Sequence, residues 1–151
     1  FPTKAELWSA VGEVIAARLA EAWQQALAAN TTPKDRLRAL IAAQLRQIEA
    51  IPALPAILHS RELNVDNANL RQRFRGILLQ YQAHLVANLE GMIADGSITP
   101  DVRPQDAAIL LTSLVQGIAI RWSLGSRGFA LQPEGLRLLD VQLALFAYGE
   151  R

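Results

Sequence analysis

Two histidines, His59 and His84, are the residues of this chain best suited to general acid–base chemistry, and no cysteine accompanies them. His59 and Glu62 stand three residues apart, an interval that sets two metal ligands on one face of a helix. Their order is the reverse of the Glu-x-x-His pair of di-iron bundles, and no second copy exists, so no metal site is expected. Without cysteine there is no thiol nucleophile, no thiolate metal site and no disulfide. Neither a Gly-x-Ser-x-Gly nucleophile elbow nor a phosphate-binding glycine loop occurs. The chain offers no catalytic set and no cofactor site, and it reads as a non-enzyme.

Polar residues on apolar faces are the better leads. Tyr81 falls on an apolar helical stripe with Gln82 and His84 beside it, and polar tips in such a place need partners. Two readings of them stand open. They are satisfied within the core, or they converge on a ligand cavity, whose walls are mostly apolar with a few placed polar groups. Arg61 follows a short proline-bounded segment and can point into a cavity or out of it. Arg71 and Arg75, with Arg73 nearby, lie opposite the stripe and read as a solvated face.

The elements that must position these residues are helical throughout. Hydrophobic residues make up 51% of the 151 and charged residues 19%, enough apolar material for one folded domain and too much for disorder. A net charge of +1 gives no electrostatic footprint for nucleic acid. Thr3 and Glu6 form a capping box, and Leu7, Trp8, Val11, Val14, Ile15, Leu19, Ala22, Trp23 and Ala26 recur at helical spacing, predicting a first helix from about Lys4 to Ala29. Thr32, Pro33 and Asp35 start a second helix, with Leu37, Leu40, Ile41, Leu45 and Ile48 inward. Pro52 and Pro55 make a corner before a short third helix, PAILHSREL. The segment NVDN supplies the cap of a long fourth helix, which carries Leu70, Phe74, Ile77, Leu78, Tyr81, Leu85, Leu89, Met92 and Ile93 and stops at a left-handed Gly96. Pro104 opens the fifth helix, Gly125 and Gly128 end it, and Pro133 and Glu134 begin the last. No sustained strand alternation occurs. The expected fold is all-α, a bundle of about six helices.

The last two helices are apolar on too many sides for a monomer's surface, where one stripe suffices. On the fifth, Leu111, Leu114, Val115, Ile118 and Trp122 make one face, and Ile109, Ser113, Gly117, Ile120 and Leu124 largely another. The last helix repeats the excess, with Leu138, Val141, Leu145 and Tyr148 on its second side. Either the chain wraps these faces itself or a two-fold dimer buries them in a four-helix bundle. For both helices together the dimer is the expectation, through Ile109, Ser113, Gln116, Gly117, Ile120, Leu124, Leu138, Gln142 and Leu145. An obligate interface of this kind buries on the order of 2,000 Å² or more. The longest uncharged run, Ala107 to Ile120, is shorter than the roughly 20 residues of a membrane span, and no basic leader opens the chain. A soluble cytoplasmic domain with no membrane contact is expected.

With the helices in order, two stretches become readable. FPTKAELW resembles the Phe-Pro-Ser-Lys-Glu-x-Leu-hydrophobic segment that joins the DNA-binding head of tetracycline-repressor-family (TetR-like) regulators to their ligand-binding body, matching at Phe1, Pro2, Thr3, Lys4, Leu7 and Trp8. GSITPDVRPQDAAILLTSLVQG is similar to the Gly-x-Ile-x-x-Asp-x-x-Pro-x-x-Ala-Ala…Gly stretch that enters the family's first dimerisation helix, matching at Gly96, Ile98, Asp101, Pro104, Ala107, Ala108 and Gly117.

The resemblance implies that residues 1–151 are the effector-binding and dimerisation body of a transcriptional repressor, with residues 1–8 as the junction to a helix-turn-helix head. That head would precede Phe1 and is absent from these residues, so DNA would be contacted only through it. The other implied partners are a second copy of the chain and a small hydrophobic or amphipathic effector. The implied cavity lies between the first, second, third and long helices and is closed by the fifth. Its expected lining is Val11, Ile15, Leu45, Ile48, Leu58, Phe74, Leu78, Tyr81, Leu85, Ile118 and Trp122, with Arg61 and His84 as polar contacts. Two rivals stand beside it: a helical interaction module with a filled core, and an all-α enzyme dependent on His59 or His84.

Overall fold

The computed structural model describes residues 3–58, 60–61, 65, 67–125 and 127–148. Phe1 and Pro2 of the junction, and the His59–Glu62 pair, lie outside the described residues. Six helices make up the described chain, with no strand among these residues: α1 Lys4–Ala28, α2 Pro33–Ala50, α3 Leu54–Leu58, α4 Ala68–Ala94, α5 Pro104–Leu124 and α6 Leu131–Phe146. The fold is all-α.

The caps explain most of the boundaries. At α1 the amide of Glu6 donates to Thr3 Oγ1 at 3.2 Å and the Thr3 amide donates to Glu6 Oε2 at 3.0 Å, the full capping box. The Asp35 amide donates to Thr32 Oγ1 at 3.1 Å, and Pro33 takes the first helical position of α2. Gly96 ends α4 at φ +84°, where its amide reaches the carbonyl of Ile93 and that of Ser97 reaches Met92, a Schellman pair closed by buried Ile98. Three boundaries depart from expectation. Asn67 supplies no side-chain capping bond to α4. The left-handed residue after α5 is Arg127 at φ 57°, its guanidinium 5.3 Å from the Trp122 ring centroid, and not a glycine. Helix α6 begins at Leu131, two residues before Pro133; a proline in the first turn removes only an amide that has no intrahelical acceptor.

Helix α2 is the hub, touching α1, α3, α4, α5 and α6. Its stripe of Leu37, Leu40, Ile41, Leu45 and Ile48 is buried along its whole length. Two glycines permit close approaches. A Cβ at Gly135 would lie 2.6 Å from Leu45 Cδ1, and one at Gly12 would lie 2.5 Å from Leu70 Cδ1. Arg38 on α2 holds Asp140 on α6 by two bonds of 2.8 and 2.9 Å, which keeps its guanidinium pKa above the ordinary value. Helix α1 packs mainly on α2 and α4, and Leu7 and Val14 of its apolar set are exposed.

Among the described helices, α5 is long and apolar enough to cross a membrane. Here it packs against α4, α6 and α2, burying Leu111, Val115, Ile118 and Trp122. Its second face stays open: Ile109 is 58%, Ile120 56% and Leu124 81% exposed. On α6, Val141 and Leu145 are exposed too, as is Tyr148 just beyond it. The chain does not wrap these faces with its own described residues.

Candidate functional site

A chamber of about 40 Å³ opens where four helices meet. Gln44 and Ile48 come from α2, Leu54, Pro55 and Leu58 from α3, Leu78 and Tyr81 from α4, and Thr112, Val115 and Gln116 from α5. Pro55 and Gln116 also line a half-open vestibule of about 330 Å³, together with Pro52, Ala56, Ala119, Ile120, Ser123 and Leu124. None of the residues lining either space is charged. The Pro52–Pro55 corner follows the end of α2, and the five-residue α3 supplies one wall of the chamber.

The polar groups of the chamber are held from behind. Trp23 on α1 is buried, and its Nε1 donates to Gln44 Oε1 at 2.9 Å. Its ring lies 5.0 Å from that of Tyr81, tilted by 38°, within the range where aromatic pairs attract. The Tyr81 hydroxyl is buried and has no hydrogen-bond partner among the described residues. Burial pushes the phenol pKa up, so it stays protonated at neutral pH. Thr112 Oγ1 donates to the Ala108 carbonyl at 2.8 Å and lies 3.3 Å from Gln82 Oε1.

Of the residues predicted to line a cavity, Ile48, Leu58, Leu78 and Tyr81 come together in this chamber. Phe74 lies on an open groove with Leu58, Leu78 and Arg75. Leu45 packs on α6 at Gly135, and Val11, Ile15, Leu85, Ile118 and Trp122 pack with the core outside the chamber. Arg61 is exposed. His84 faces Arg36 of α2: partial burial, then the Arg36 charge, lower its pKa. Helix α1 contributes no lining residue to this chamber and is linked to it through the Trp23 bond to Gln44.

Pattern reading missed Gln44, Leu54, Pro55, Thr112 and Val115. Gln44 was findable: it interrupts the buried stripe of α2 between Leu40 and Ile48, and a polar residue there must have a partner. Gln116, read only as a dimer-face residue, lines both spaces.

Comparison with known families supplies the deciding observation. The model of the C-terminal domain of BetI-type, TetR-family transcriptional repressors matches residues 33–145, from the start of α2 almost to the end of α6. The chain belongs to this TetR family. No curated protein and no solved structure matches it.

As a TetR-family C-terminal regulatory domain, the chain is part of a transcriptional regulator. In this TetR domain the residues expected at a dimer face are exposed or half-buried on α5 and α6. Ile109, Ser113, Gly117, Ile120, Leu124 and Leu145 are exposed, and Gln116, Leu138 and Gln142 are half-buried. A Cβ at Gly117 would meet nothing within 4 Å, so the backbone there is open to a close neighbour.

Proposed function

We propose that this domain is the effector-binding and dimerising body of a TetR-type transcriptional repressor. One observation carries the reading. Gln116 lines the chamber and the vestibule, while Ile120 and Leu124, which also line the vestibule, belong to the apolar face that a single chain leaves exposed. An effector in the gap and a second copy on the face would lean on the same turns of α5.

The signal has a physical route. Trp23 joins Gln44 and Tyr81 to α1, so a ligand that moves either side chain pulls on the helix that, in the family, leads to the DNA-reading head. Two such heads must sit about 34–36 Å apart to enter successive major grooves. A coupling of roughly 1–3 kcal/mol is enough to change affinity for DNA about 5- to 150-fold. The repressor acts in the cytoplasm, where its DNA lies, and touches DNA only through the head.

Thermal melts of the chain against a panel of uncharged apolar compounds test the effector. A rise in melting temperature with at least one compound is expected, since a ligand bound only to the folded state stabilises it. No shift with any compound removes the effector-binding half. The second reading, a filled helical interaction module, is favoured by the size of the inner chamber, since about 40 Å³ has room for little more than a water or two. Flat melts with a dimeric mass would establish that reading instead.

A further inference from the structure

We propose that the ligand is an uncharged, mainly apolar molecule with a carbonyl-type acceptor, its oxygen held by the Tyr81 hydroxyl and its apolar body lying in the vestibule. The inference rests on the effector-binding reading and specifies the class of molecule it serves.

The donors decide the polar end. An indole N–H can only donate, so the Trp23 bond fixes Gln44 with its oxygen toward the indole and its Nε2, a donor, as the other end of the amide. The Thr112 hydroxyl proton is engaged by the Ala108 carbonyl. Tyr81 is left with a buried hydroxyl and no partner among the described residues. A buried donor without an acceptor, in a chamber wide enough for one small polar group, suits a single carbonyl oxygen.

The walls decide the charge. A carboxylate would meet no cation among the residues lining either space, and an ammonium would meet no anion. Burying an ion without a partner is far costlier than burying a neutral dipole that makes its hydrogen bond. The vestibule, at about 330 Å³, lies at the small end of the range for small-molecule sites, and its lining is aliphatic apart from Gln116 and Ser123.

Three probes of one chain length test the class by calorimetric titration: 2-nonanone, nonanoate and nonyltrimethylammonium, each on the wild-type chain and on Tyr81→Phe. The wild type should bind 2-nonanone at least tenfold more tightly than either ion. Tyr81→Phe should lose at least tenfold toward the ketone while melting no lower than wild type. Equal or tighter binding of either ion overturns the proposal and leaves the effector-binding reading standing. So does a folded Tyr81→Phe that keeps its ketone affinity, since the hydroxyl then serves a water or nothing. Binding of none of the three to the wild type overturns this proposal, and the melts against the wider panel decide whether the effector-binding reading falls with it. If Tyr81→Phe does not fold, the ranking of the three probes on the wild type decides alone.

Discussion

The indole of Trp23 and the amide of Gln44 are joined by a 2.9 Å hydrogen bond that ties α1 to the hub helix beside the inner chamber. Both side chains are buried. Truncating the donor alone leaves a buried carbonyl oxygen unpaired, which costs about 1–3 kcal/mol, whereas removing both partners costs less. Trp23→Phe should therefore lower the unfolding free energy extrapolated from urea titration by that amount, and Trp23→Phe with Gln44→Leu should recover part of it. Coincident curves for wild type and the single variant would show that the bond contributes nothing.

Close approach of α6 to α2 gives a second expectation. A side chain at Gly135 would run into Leu45, and overpacking of this kind costs about 1–3 kcal/mol. Gly135→Val should melt well below wild type. Gly76, in mid-α4, has nothing within 4 Å of a built Cβ. Gly76→Ala should accordingly gain roughly 0.8–1.0 kcal/mol from helix propensity. The opposite order of the two melts would contradict the packing described.

Acid should weaken the fold partly through His84. Its pKa is lowered in the folded state by partial burial and by Arg36, so the unfolded chain binds the proton more readily. The stabilising contribution is complete above the unfolded value of about 6.5 and is lost as pH falls from there through the lowered folded value. Melting temperature should decline between pH 7.5 and 5.5, and His84→Gln should flatten that decline. An unchanged slope in the variant would assign the decline to other groups.

The helices were legible because their signals are local. Thr3 with Glu6, Thr32 with Pro33, and Gly96 each mark a boundary through a bond made within one turn. The outward apolar surplus of α5 and α6 was legible too, since Ile120, Leu124 and Leu145 break a single-stripe pattern. The chamber was legible only in part. Ile48, Leu58, Leu78 and Tyr81 lie on buried faces that periodicity identifies, but so do Leu45, Leu85 and Ile118, and which of them face a gap depends on how far α3 stands from α5. That distance is a tertiary quantity. Arg127 was unreadable for a related reason: its left-handed backbone is accompanied by a stack on Trp122 and an amide bond to the Trp122 carbonyl, not by any preference of arginine itself.

The central claim is that the open face of α5 and α6 belongs against a second copy of the chain. Light scattering at micromolar concentration measures this directly. The wild-type chain should have twice the 16.5 kDa mass of one copy, and Ile120→Glu, which places a charge at a site 56% exposed in the single chain, should have the mass of one copy and remain helical. A wild-type mass of 16.5 kDa under those conditions would contradict the account.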